Sequence, residues 1–159
     1  MRQPTTLDPT DLKILDLLQR NGRMDVAHIA AKVYRSQSTT HYRMNRLVSG
    51  GYIRRFAAIL DRELLGLPVM MILQVRLRDH SADALKEFAA YAKALPEVQV
   101  VLQLSGEADF LLQIAAVSPA GYEDFLEEKI CRLPMVQQVQ SSLVLREYKQ
   151  DQAIALNVL

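Results

Sequence analysis

The sequence predicts an α+β chain in two parts, three helices followed by a β-α-β-β-α-β run. Three observations carry this reading. Apolar residues recur at helical spacing up to Asn21-Gly22, through a short stretch after Asp25, and again up to Gly50-Gly51. From Pro68 onward, runs of aliphatic residues alternate with helical patterns bounded by prolines. The charge is divided as well. Residues 1–62 carry 11 basic and 5 acidic side chains, whereas residues 63–159 carry 8 basic and 13 acidic, in a chain whose net charge is only +1. A basic third joined to an acidic remainder points to a polyanion-binding module attached to a module of another kind.

The bulk properties bound the answer. The 159 residues allow one or two small domains, and half of them are hydrophobic, enough to bury a core. The lone Cys131 excludes an internal disulfide or a Cys-rich metal site, and its apolar surroundings mark it as a small core residue. The opening Met-Arg-Gln-Pro-Thr-Thr has no apolar stretch, so no secretory leader is expected. No apolar run approaches the ~18 residues of a membrane span, so neither membrane nor cofactor is expected, and the expected compartment is the cytoplasm.

The first helix starts at Asp8-Pro9-Thr10-Asp11, which offers a capping carboxylate and a proline at the first helical position. Leu12, Ile14, Leu15 and Leu18 form its apolar face. The second is capped by Asp25, with Val26, Ile29, Ala30 and Val33 inward. The third is capped by Ser36 and runs to about Ser49, with Thr40, Met44, Leu47 and Val48 inward. Residues 52–60 are β-branched and aromatic enough to predict a strand. Helix, turn and helix behind a leading helix is the helix-turn-helix plan, and its second helix enters the major groove of double-stranded DNA.

Val26 to Leu60 holds six Arg or Lys and no acid. Within it, Ser36, Gln37, Ser38, Thr39, Thr40 and His41 make a weak helix start but a good groove surface of short hydroxyls and an adenine-competent glutamine. Lys32, Arg43, Arg46, Arg54 and Arg55 are the expected phosphate contacts.

The second part predicts strands over 69–77, 98–104, 110–117 and 136–147, with helices over 81–95 and from Pro119 to Pro134. This is the ferredoxin-like order, with both helices on one face of an antiparallel sheet. Met71, Leu73, Leu102 and Leu104 are candidates for the uncovered face, which invites self-association.

At this point the chain resembles the leucine-responsive regulatory protein (Lrp)/AsnC family of transcription regulators over roughly residues 7–149. The matching pieces are Leu7-Asp8-x-x-Asp11-x-x-Ile14-Leu15-x-x-Leu18-Gln19, Asn21-Gly22-Arg23, Arg43-x-x-Arg46-Leu47 and Gly51-Tyr52-Ile53. Further on come Leu60-Asp61, Leu65-Gly66, Ser105-Gly106-x-x-Asp109-Phe110-Leu111-Leu112 and Leu133-Pro134-x-Val136. The chain departs from the family at the helix-turn-helix turn, where Tyr34 and Arg35 replace a usual glycine and apolar residue. A side chain in a left-handed turn costs ~1 kcal/mol or more. A reshaped turn would free Arg35 for a phosphate. Gln37 also replaces a frequent proline.

The resemblance implies a winged helix-turn-helix domain over 1–54, a linker strand and hinge over 55–67, and an effector-binding and oligomerisation domain over 68–159. It implies an amino-acid effector held between subunits by the loop Ser105, Gly106, Glu107, Ala108 and Asp109. Gly106 lets a backbone N–H approach the α-carboxylate, Asp109 or Glu107 pairs with the ammonium, and Gln103, Ser141 and Ser142 are polar lining. The same residues also make an ordinary turn. Dimers that assemble further, to an octamer, are implied too. A constitutive architectural DNA-binding protein without an effector is the alternative. No nucleophile–base pair, phosphate loop or Cys/His cluster supports an enzyme, and the sheet lacks the aromatics of an RNA-binding surface.

Overall fold

The computed structural model describes residues 6–150 and 153–156; the reading of the first residues as leaderless falls largely outside them. The chain divides into two compact units, Met1–Ile59 with Lys149–Leu159, and Leu60–Tyr148. The linker is shared between the units, and the tail groups with the first unit rather than the second. Local bonds account for this. Arg62 Nη1 donates to the carbonyl of Pro68 at 2.5 Å, and Gln19 bonds the backbone of Ile154.

The first unit holds α1 (Pro9–Arg20), α2 (Val26–Val33) and α3 (Gln37–Ser49). Each starts where a side chain caps it. Asp8 accepts the Asp11 N–H at 2.9 Å, and the Asp8 N–H donates back to Asp11. Asp25 accepts from the His28 N–H, and Ser36 from the Thr39 N–H. Ile14, Leu18, Ile29, Val33 and Leu47 form the core, with Leu7, Met44, Tyr52 and Ile53 packed against it. Val48, expected inward, is 45% exposed. It lies about 100° around the helix from Leu47, which turns it out of the apolar stripe. After α3 the chain passes so close to Tyr52 that a Cβ at Gly50 would sit 3.3 Å from that ring.

The strand expected over 52–60 does not form: the segment is a bend followed by irregular chain. β-Propensity needs a ladder partner, and among the described residues none pairs with it.

The second unit holds β1 (Val69–Leu77), α4 (Ala82–Ala94), β2 (Val98–Gln103), β3 (Phe110–Ala116), α5 (Pro119–Phe125) and β4 (Val136–Leu143). The sheet order is β2-β3-β1-β4 and every pairing is antiparallel. This is the expected ferredoxin-like plan, with strands ending slightly earlier than predicted. Leu73, Val75, Leu77, Phe110, Leu112 and Ile114 pack with Phe88, Tyr122, Phe125 and Ile130 of the helices. Leu73 and Met71 are therefore on the covered face, not the open one. The all-apolar start of β1 hides the two-residue alternation, which puts Ile72, Gln74 and Arg76 on the other side. Leu102 pairs with Leu111 on that open side, and Leu104 lies beyond the end of β2.

α5 continues as a π-helical turn over Leu126–Cys131. That wider turn brings Ile130, five residues after Phe125, onto the buried face. Its neighbour Cys131, expected in the core, is consequently exposed.

Candidate nucleic-acid interface and effector pocket

α3 has two different sides. Leu47 and Thr40 are buried, while Gln37, Ser38, His41, Tyr42 and Asn45 are exposed. The exposed five recur at spacings of three and four, so they share a helix face. Thr40, expected to read bases, is wholly buried and its hydroxyl has no hydrogen-bond partner among the described residues. It therefore belongs to the core. Ser36 and Thr39 are bound to each other at the cap, Oγ to Oγ1 at 2.8 Å. His41 and Asn45 stand side by side, Nε2 to Nδ2 at 3.1 Å. Tyr42 and Asn45 were missed in the sequence. They follow Ser38 and His41 by four, and that spacing is the signal that finds them.

The basic residues divide as well. Arg43 Nη1 donates to Asp8 Oδ2 at 2.6 Å and to Asp11 Oδ1 at 2.9 Å, and Arg46 pairs with the other oxygen of Asp11. Asp11 is wholly buried. The Asp11 backbone N–H, and then Arg43, hold the Asp8 carboxyl below its usual range, and the two carboxylates raise Arg43 in return. These two arginines, expected on phosphates, are committed to a carboxylate clamp between α1 and α3. Lys32, Arg35, Arg54 and Arg55 are exposed. Arg35 Nη1 reaches the carbonyl of Tyr34 at 3.1 Å. The turn is not reshaped: Tyr34 itself adopts the left-handed conformation, φ 55° and ψ 49°, with Lys13 5.3 Å above its ring.

In the second unit the loop after β2 is pinned by Asp109. Its Oδ2 accepts the Leu77 N–H at 2.8 Å, and Oδ1 lies 2.8 Å from His80 Nδ1. Its backbone bonds Val75 and Leu104. Gly106 has φ +134°, a conformation that side chains rarely adopt. Glu107 and Ala108 then line a small pocket of about 60 Å³ with Gln74, Arg76, Gln138 and Gln140.

Gln140 is the ladder partner of Gln74, and Gln138 that of Arg76. All four lie on the open face. Gln74 and Arg76, two apart in the otherwise apolar β1, were the signal for them, and sequence reasoning missed it. Gln103 and Ser105 are exposed and do not line this pocket. Ser141 faces the helices, where its Oγ lies 2.5 Å from Tyr122 Oη. Ser142 is the partner of Ile72 and faces the other way.

A three-helix unit whose third helix presents a polar, exposed face, joined to a ferredoxin-like unit with a polar pocket, defines a two-domain DNA-binding regulator with a ligand-binding domain. Comparison with known proteins agrees. Residues 7–54 match the winged helix-turn-helix DNA-binding family, and residues 70–154 match the Lrp/AsnC ligand binding domain. The chain is 35% identical over 150 residues to the leucine-responsive regulatory protein of Haemophilus influenzae, covering 94% of this chain and 90% of that one. It is 34% identical over 144 residues to the proline dehydrogenase transcriptional activator of Rhizobium radiobacter, covering 91% and 92%. A transcriptional regulator from Neisseria meningitidis, solved as its L-Met complex, superposes with a TM-score of 0.91 at 35% identity, over 96% of this chain and 99% of that one. The chain belongs to the Lrp/AsnC family of transcription regulators. Among the described residues, no helix is long and apolar enough to cross a membrane, and no cluster of His, Cys, Asp or Glu could hold a metal.

Proposed function

We propose that this regulator binds operator DNA through the outer face of α3 and that a free amino acid, seated beside the 104–109 loop, tunes that binding. Gln37, Ser38, His41, Tyr42 and Asn45 read base edges. Lys32, Arg35, Arg54 and Arg55 hold phosphates and supply most of the affinity. Two copies form a dimer that sets two α3 helices about 34 Å apart, one helical turn of DNA. Dimers assemble further, to an octamer, in the cytoplasm.

One observation carries the effector reading. The pocket sets a guanidinium, Arg76, and a carboxylate, Glu107, among three glutamine amides. That pairing suits a zwitterion, with the α-carboxylate on Arg76 and the α-ammonium on Glu107. Asp109 is occupied by Leu77 and His80, so it holds the loop rather than the ligand. The L-Met in the Neisseria relative supports the amino-acid class. The pocket is small and open on one side, so it takes the charged end and leaves the side chain to a neighbouring subunit.

The test is calorimetric titration of each amino acid into the protein and its Arg76→Gln and Glu107→Gln variants. A single amino acid that binds the parent and is lost in both variants is the expected result. Binding that survives both variants would place the effector elsewhere. The architectural alternative draws its support from the loop, because Asp109 has a complete structural role without any ligand; it predicts no amino-acid binding at all.

A further inference from the structure

The side-chain amide of Gln19, at the exposed end of α1, makes two hydrogen bonds to one residue 135 positions further along the chain. Nε2 donates to the Ile154 carbonyl at 2.9 Å, and Oε1 accepts the Ile154 N–H at 2.9 Å. A carboxamide carries the same donor and acceptor as a peptide group, so Gln19 pairs with the main chain of Ile154 as a backbone peptide group would. The place it guards is apolar. Leu15, Leu18, Tyr52, Ile53, Phe56 and Leu156 line a cavity of about 250 Å³ that Arg54 and Arg55 also border.

We propose that the groove between α1 and residues 52–56 is a docking surface for the C-terminal segment of this same chain, and that the seated segment fixes Arg54 and Arg55 for DNA. The occupant follows from the bonds themselves. The chain crosses between its two units twice, after Ile59 and after Tyr148, and the second crossing brings residues 153–156 back to the DNA-binding unit. Ile154 is 67% exposed, and both its backbone groups pair with Gln19. This makes Gln19 the side chain to test. It is exposed, and replacing it leaves the core of the unit untouched.

The experiment compares the full chain with three variants: Gln19→Ala, Gln19→Glu, and a chain ending at Gln150. Two readouts are amide hydrogen exchange at Ile154 and at residues 53–56, and affinity for an operator fragment and an unrelated one. Each lost hydrogen bond predicts about three- to tenfold faster exchange at Ile154. Gln19→Glu keeps an acceptor and loses the donor facing the Ile154 carbonyl, so it behaves like Gln19→Ala. All three variants should exchange faster at 53–56 and bind both DNA fragments several-fold more weakly, with their preference between fragments unchanged. Unchanged exchange at Ile154 in Gln19→Ala overturns the docking. Faster exchange at Ile154 with unaltered residues 53–56 and DNA affinity overturns the role given to Arg54 and Arg55. Mixing Gln19→Ala chains with truncated chains supplies an intact groove and an intact segment on different copies. Recovery of affinity on mixing would make the occupant a second copy's segment and overturn the intramolecular assignment; no recovery is the expected result.

Discussion

Asp11 is wholly buried and accepts Arg43 Nη1 at 2.9 Å, with Arg46 on its second oxygen and its own backbone N–H on Asp8. One carboxylate thus joins the start of α1 to the middle of α3. Removing one partner of a buried ion pair leaves the other charge unpaired, which costs about 3–5 kcal/mol. Asp11→Ala should therefore unfold the first unit in mild urea. Arg43→Ala should also lower the urea midpoint. A wild-type midpoint for Arg43→Ala would return that arginine to the DNA.

The acid limb of stability follows from the same clamp. Asp8 is held below the ordinary aspartate range, first by the Asp11 N–H and then by Arg43. Asp16, Asp25 and Asp79 are lowered as well, by Gln19, by the His28 N–H and by the Ser81 N–H respectively. A carboxyl depressed by folding stabilises the fold above its unfolded pKa, and that contribution disappears as pH falls through the folded value. Stability should be flat through neutral pH and decline below about pH 4. Asp8→Asn should make the decline shallower without abolishing it, as measured by thermal unfolding across pH.

Tyr34 carries left-handed strain that glycine would not. The strain costs about 1–2 kcal/mol, and the exposed contact with Lys13 returns about 0.5–1 kcal/mol of it. Tyr34→Gly should therefore stabilise the protein by roughly 0.5–1 kcal/mol in urea unfolding. A destabilised variant would mean that the ring does more than cover Lys13.

Asp109 closes the loop after β2 by accepting the Leu77 N–H. Asp109→Ala strands that donor and should cost about 1–3 kcal/mol of stability. His80→Ala removes only the exposed partner and should cost less. If Asp109 instead held the effector ammonium directly, its removal would abolish amino-acid binding while leaving thermal stability unchanged.

The caps of the first three helices and the strand order were legible because their signals are local: Asp8, Asp25 and Ser36 each sit next to the turn they close. The side-chain destinations that were missed depend on partners far along the chain. Arg43 reads as a phosphate ligand until Asp8 and Asp11, 35 and 32 residues away, are folded beside it. Ser141 and Ser142 look equivalent until strand parity turns them to opposite faces. Residues 52–60 have strand composition but no ladder partner among the described residues of one chain. Cys131 fits an α-helical stripe, and only the π-turn moves it out. The pocket was half legible: Gly106 and Glu107 mark the loop, but Arg76, Gln138 and Gln140 reach it through the ladder between β1 and β4.

Salt-dependent binding of the protein to DNA from upstream of its own gene, against an unrelated fragment, tests the central claim most directly. Alongside the parent, the test uses the Arg54→Ala/Arg55→Ala double variant and Asn45→Ala. The double variant should weaken binding to both fragments and reduce the salt slope by about 2. Asn45→Ala should erode the preference for the upstream fragment by about 1–3 kcal/mol while leaving the slope alone. An unaltered slope in the first variant together with an unaltered preference in the second would contradict the assignment of reading to α3 and of phosphate binding to the segment after it.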